Sequence, residues 1–175
     1  DSYSDNAEQT RFAVQAYAGY VLARSQQAPL GALRSLFERR SDARSGLSLV
    51  QLAIALQKMG DQPRADQALA AGLALKRDDN QWFHDYGSVL RDDALILALL
   101  HEHDLAAKQR DERLFTLADE LASRPYLSTQ ERNALFLAGR GLLLEPEQDW
   151  QAELSVGGQV RALSHVDSGV KLAGA

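Results

Sequence analysis

Two short stretches hold the residue types that could do chemistry. "HEHD", His101 to Asp104, sets two imidazoles beside two carboxylates. These are donors for a zinc-class cation. The spacing opposes that use, because H-E-H-D is not H-E-x-x-H and side chains two apart on a helix point away from each other. Histidines near a helix C-terminus are explained by the helix dipole. "WFHDYGS", Trp82 to Ser88, gathers Trp82, Phe83 and Tyr86 with His84, Asp85 and Ser88. A serine, a histidine and an aspartate invite a hydrolytic triad. All three sit on one loop with no G-x-S-x-G elbow, so the triad is unconvincing. Aromatic-rich loops are binding candidates, and the plainer alternative is a loop packed on its neighbours.

Other polar groupings read as structure. Ser128 and Glu131 in "RPYLSTQERNALFL" form S-x-x-E, the capping box that closes a helix N-terminus reciprocally. Leu127 is placed to staple it, and Pro125 fixes the incoming chain. The pair Asp92–Asp93 lies near a helix start, where the dipole accounts for it. "GRG" at Gly139 to Gly141 falls late in a helix and suits close packing. There is no P-loop and no G-x-G-x-x-G, so no nucleotide cofactor is expected. The chain contains no cysteine, which excludes disulfides, thiolate metal sites and a cysteine nucleophile within it. These absences point away from an enzyme, and no catalytic, cofactor or metal residue is assigned.

Seven helical segments carry these groups, at about 7–24, 30–39, 47–59, 63–75, 88–100, 108–123 and 129–144. Pro29 suits the start of the second. Gly60 is placed as the C′ residue of the third. Asp61 and Pro63 are placed to open the fourth. The second, fourth and sixth have one apolar stripe each, as surface helices do. "LSLVQLAIAL", "ALILALL", "NALFLAG" and, nearly so, "FAVQAYAGYVLA" are apolar all round, which predicts burial on several sides. Alternation of this kind predicts an all-α chain of two-layer α/α hairpins, either a solenoid or part of an α/α toroid.

From Trp150 the period changes. Trp150, Ala152, Leu154 and Val156 alternate with polar residues, Gly157–Gly158 marks a turn, and a second strand is expected in a short β tail. The predicted division is 1–148, helical, and 149–175, the start of a following β-domain or a disordered tail. The helical series starts and ends on an inner-type helix, and the N-terminus has neither an initiator Met nor a signal peptide, so the chain is expected to be a piece of a longer protein. A net charge of −5 without a basic stripe disfavours nucleic acid. No apolar run reaches the roughly 18–20 residues of a membrane span, so direct membrane contact by this segment is not expected.

Three stretches together resemble one family. "RFAVQAYAGYVLAR" (11–24), "DYGSVLRDDALILALL" (85–100) and "RPYLSTQERNALFLAGRGL" (124–142) are similar to the thiol ester (complement-like) domain of bacterial alpha-2-macroglobulins. "PLGALR" and "GDQPRA" are similar to the same branch. The likeness covers about residues 8–145. It implies an α/α toroid of which this chain is the C-terminal portion. It implies a fragment of a broad-spectrum endopeptidase inhibitor that traps proteases after bait-region cleavage, in a periplasmic parent anchored to the inner membrane as a lipoprotein and serving bacterial defence. The implied partners are proteases, through the full-length parent, and the other domains of the same chain. The Cys-x-x-Gln thiol ester would lie upstream of Asp1. Shielding of that group, or a domain interface, would fall to Trp82, His84, Tyr86 and Tyr126. The alternative is a helical-repeat binding module: "MGDQPRADQALAAGLAL" resembles part of a tetratricopeptide unit, although no second copy at its 34-residue period is present.

Overall fold

Residues 2–77, 85–143, 151–156 and 159–164 are described by the computed structural model of the chain. Among them, seven α-helices follow one another: α1 (Ser2–Arg24), α2 (Leu30–Glu38), α3 (Gly46–Lys58), α4 (Gln62–Ala74), α5 (Val89–Glu102), α6 (Ala107–Ser123) and α7 (Thr129–Leu143). A 3-10 turn at Arg40–Asp42, which no periodicity announced, precedes α3. α1 starts earlier than its apolar pattern predicts. The chain divides into two compact units, Asp1–Leu142 and Leu143–Ala175.

In the helical unit α3 and α5 lie deepest. Ten of the thirteen residues of α3 are buried, because it is apolar on every side and packs against α1, α2, α4 and α5. Three apolar clusters run through the unit. One joins Phe12 and Ala16 of α1 to Leu33, Leu36, Phe37, Leu52, Leu56 and Ala68. A second joins Tyr20, Val50, Ile54, Ile96 and Leu100 across α1, α3 and α5. A third joins Leu90, Ala94 and Leu97 of α5 to Leu117 of α6 and to Ala134 and Ala138 of α7. α2 and α4 each bury one stripe, as their patterns predict, whereas α6 fully buries only Leu117 and leaves Ala118 and Leu121 of its stripe exposed. α3 and α4 approach closely enough that a side chain at Gly46 would overlap the Gly72 carbonyl, so this crossing tolerates only glycine.

The outer two of the all-round apolar helices differ from expectation. α1 buries a single face, and Val14, Tyr17, Val21 and Leu22 stand exposed on the other. α7 buries Ala134 and Ala138 but leaves Phe136 and Leu143 exposed. Helices apolar all round need neighbours all round, and among the described residues only α3 and α5 have them.

The ends of α1, α3 and α5 share one device. After α3, Gly60 has φ +85°, Asp61 N–H donates to the Leu56 carbonyl at 2.9 Å and Gly60 N–H to that of Gln57 at 3.0 Å. This is the Schellman pattern. α1 ends the same way with Gln26 at φ 60°, and α5 with Asp104 at φ 49°. Side-chain-bearing residues tolerate that backbone poorly, Asp somewhat better than most. Asp61 corrects a prediction: it occupies the N-cap position of α4 without capping it. Its buried carboxylate instead accepts from Arg34 Nε at 2.6 Å and Arg64 Nη1 at 3.2 Å. The hydrogen bond from Arg34 holds its pKa below the usual carboxylate value.

In the second unit, β1 (Gln151–Val156) and β2 (Gln159–Ser164) pair antiparallel, from Gln151 opposite Ser164 to Val156 opposite Gln159. Gly157 and Gly158 lie outside the described residues.

Candidate functional site

Of the polar groups singled out in the sequence, Asp85, Ser88, Asp92, Ser128 and Glu131 gather where α5 and α7 begin. The capping box of α7 is formed: Glu131 N–H donates to Ser128 Oγ at 3.2 Å, and Ser128 N–H to Glu131 Oε2 at 2.8 Å. Ser88 caps α5, its Oγ accepting from Arg91 N–H at 3.1 Å. The same hydroxyl donates to Glu131 Oε1 at 2.7 Å. Arg124 Nη1 also donates to Oε1, at 3.1 Å, and Arg124 Nη2 to Glu120 of α6 at 2.6 Å. Burial opposes the charge on Glu131, yet the bonds from Ser88 and Ser128 and the Arg124 charge leave its pKa lowered.

Beside this lies a quartet of two arginines and two aspartates. The Arg77 side chain is 4% exposed, and its guanidinium reaches Asp85 at 2.6 Å and Asp92 at 3.1 Å. Arg91 bonds the Asp92 carboxylate through Nε at 2.8 Å, the Asp85 carbonyl at 2.9 Å and the Asp85 carboxylate at 3.2 Å. A buried cation of this kind requires such partners. Burial pulls the Arg77 pKa down, and the two aspartates more than offset it, so the net shift is upward. For Asp85 burial is likewise outweighed, by Arg77, the Gly87 N–H and Arg91, and its pKa is lowered.

This arrangement holds a loop rather than activating a nucleophile. Ser88 Oγ is committed on both its donor and acceptor sides, and Asp85 is committed to arginines, so the triad reading finds no support. Trp82 and His84 lie outside the described residues. Tyr86, at φ 52°, is 83% exposed, and Tyr126 is 73% exposed with the Arg132 guanidinium 6.0 Å from its ring centre. Tyr86 and Tyr126 are thus turned outward on the two segments that precede α5 and α7.

"HEHD" disperses. Glu102 pairs with Arg24 of α1 at 3.0 Å, His103 Nε2 lies 3.3 Å from Tyr20 Oη, and Asp104 faces Arg110 of α6 at 3.4 Å. Burial lowers the His103 pKa. Among the described residues no group of three or more His, Asp or Glu is placed to hold a metal, and no helix is long and apolar enough to cross a membrane. Asp93 pairs with Arg113, whose Nη2 also donates to the Leu73 carbonyl at 2.7 Å. Gly141 of "GRG" packs on His101, while Gly139 has open space around its Cα. The roles of Arg77, Arg91 and Arg124 were not legible in sequence, since their partners are distant residues or ones with closer apparent uses.

No protein-family model matches the chain. Alpha-2-macroglobulin of Escherichia coli strain K12 is 50% identical over 155 residues, 87% of this chain and 9% of that protein. A crystal structure of native E. coli alpha-2-macroglobulin, running from an internal domain to the C-terminus, superposes with a TM-score of 0.78 at 45% identity, covering 93% of this chain and 25% of that one. E. coli alpha-2-macroglobulin activated by porcine elastase superposes with a TM-score of 0.79 at 46% identity, covering 90% and 14%. The chain thus spans about a tenth of the length of the curated relative, and at this identity across almost all of its residues it is homologous to part of bacterial alpha-2-macroglobulin.

Proposed function

We propose that this chain is the C-terminal portion of the thiol ester domain of a bacterial alpha-2-macroglobulin, part of an α/α toroid in a broad-spectrum endopeptidase inhibitor that traps proteases after bait cleavage. The observation that carries this is the 50% identity to the E. coli protein over nearly the whole chain. The exposed apolar faces of α1 and α7 support the toroid, since further inner helices on either side would cover them. The chain has no cysteine, so a Cys-x-x-Gln thiol ester would come from residues upstream of Asp1. Residues 149–175, including the β1–β2 hairpin, would lead into a following β-domain. The parent would be a periplasmic lipoprotein of the inner membrane, an enzyme's inhibitor and not itself an enzyme. Tyr86 and Tyr126, with Trp82 and His84, would face the thiol ester or a neighbouring domain. The tetratricopeptide-like module is not favoured, because the same helices align with alpha-2-macroglobulin.

The test is to incubate the full-length parent with trypsin, with and without methylamine, and resolve the products on a denaturing gel. A methylamine-sensitive covalent adduct is expected. Bait cleavage without an adduct would refute the thiol ester and leave a noncovalent trap. Absence of both cleavage and inhibition would overturn the reading. Unchanged inhibition and thiol ester lifetime in Tyr86→Ala would remove the shielding role. Cell fractionation checks the compartment.

A further inference from the structure

α5 and α7 begin with the same short pattern. Tyr86-Gly87-Ser88 precedes α5 and Tyr126-Leu127-Ser128 precedes α7. In each the serine is the cap that accepts a first-turn amide, from Arg91 and from Glu131. In each the tyrosine two residues earlier is exposed. The third helical position differs. In α7 it is Glu131, which completes a capping box, and in α5 it is Arg91, which cannot accept a hydrogen bond.

Glu131 of α7 reaches the serine that caps α5, accepting from its hydroxyl rather than from its N–H. Glu131 Oε2 takes the Ser128 N–H, and Oε1 takes the Ser88 hydroxyl and Arg124. Ser88 stands three residues from Arg91 and four from Asp92, which lock into the Arg77–Asp85 quartet. The bonds therefore run unbroken from Glu120 of α6 to Arg77 beyond α4. The geometry points to Glu131, which caps α7 and holds the serine that caps α5, as a shared anchor that makes the two Tyr-x-Ser segments one cooperative unit, so that Tyr86 and Tyr126 are ordered or released together. Glu131 is buried, and both its carboxylate oxygens are engaged by these three donors. The inference is independent of what the tyrosines contact.

Hydrogen exchange of the full-length protein, followed by mass spectrometry on peptides covering 89–95 and 129–135, tests it. Ser88→Ala is expected to speed exchange in both peptides, by roughly tenfold in the distant one, as loss of a charge-assisted hydrogen bond allows. In a Glu131→Ala background the same Ser88→Ala change should add nothing to exchange in 129–135, because the bond is already gone. A Ser88→Ala effect confined to 89–95 overturns the proposal. So does an additive double mutant, which would mean that the apolar packing of Leu90, Ala94 and Ala134 transmits the effect. Should Glu131→Ala fail to fold, Glu131→Gln serves: one carbonyl oxygen remains where two oxygens served three donors, and partial uncoupling is expected.

Discussion

α3 and α1 read alike in sequence and end up in different surroundings. Both are apolar nearly all round. α3 is enclosed by α1, α2, α4 and α5, whereas α1 hides Phe12, Ala16, Tyr20 and Ala23 and exposes Val14, Tyr17, Val21 and Leu22. α5 and α7 repeat the contrast. An apolar pattern specifies how many faces a helix can bury, and the chain decides how many neighbours are present to bury them.

The contrast is broken most directly by truncation in the 175-residue chain, followed by urea unfolding. Leu52→Ala on α3, a site with no exposure, should cost about 2–5 kcal/mol. Tyr17→Ala on the bare face of α1, 57% exposed, should shift stability by no more than about 0.5 kcal/mol. In the full-length parent the toroid reading requires Tyr17→Ala to cost clearly more than in the segment. An equal and small effect in both would mean that nothing covers α1.

Next in size is the α3–α4 crossing. Gly46→Ala should cost about 1–3 kcal/mol, since the added methyl meets the Gly72 backbone and the helices must part. Gly31→Ala in α2, with open space at its Cα, should be neutral or stabilising by up to about 1 kcal/mol.

The polar side of the comparison is pH-dependent. Asp61, Asp85 and Glu131 all have folded pKa values below their ordinary ones. Their contribution is therefore complete above an unfolded pKa near 4 and is lost as pH falls through the lowered folded values. Unfolding followed from pH 6 to pH 3 should show this loss, and Glu131→Gln should flatten it while lowering stability at pH 7 by roughly 1–3 kcal/mol.

The smallest effects concern the helix ends. Asp104→Gly and Gln26→Gly should each raise stability by up to about 1 kcal/mol, having left-handed backbones that glycine adopts freely. Gly60→Ala should lower it by about 1–2 kcal/mol. A melting series on the three sites separates the one matched end from the two strained ones.

Much of the fold was legible because its signals are local. Leu33, Leu36 and Phe37 of α2 show their stripe within three turns, Gly60 announces a helix end, and Ser128 and Glu131 form their box across three residues. The Schellman ends at Gln26 and Asp104 were not legible, because neither residue type marks a left-handed backbone. The site was legible only in part. Ser88, Tyr86 and Tyr126 were within reach, but Arg77 finds Asp92 fifteen residues away and Ser88 finds Glu131 forty-three away.

By itself, then, the sequence determined helix positions, the alternation of one-faced with all-round apolar helices and the lack of any thiol in this chain, since each depends on residue type and near spacing. Tertiary structure alone decided that α3 and α5 are enclosed while α1 and α7 are not, that Asp61 serves two arginines instead of a helix, and that the carboxylate capping α7 also binds the serine that caps α5. Those outcomes depend on which distant surfaces meet, and desolvation then favours partners for the polar groups caught between them.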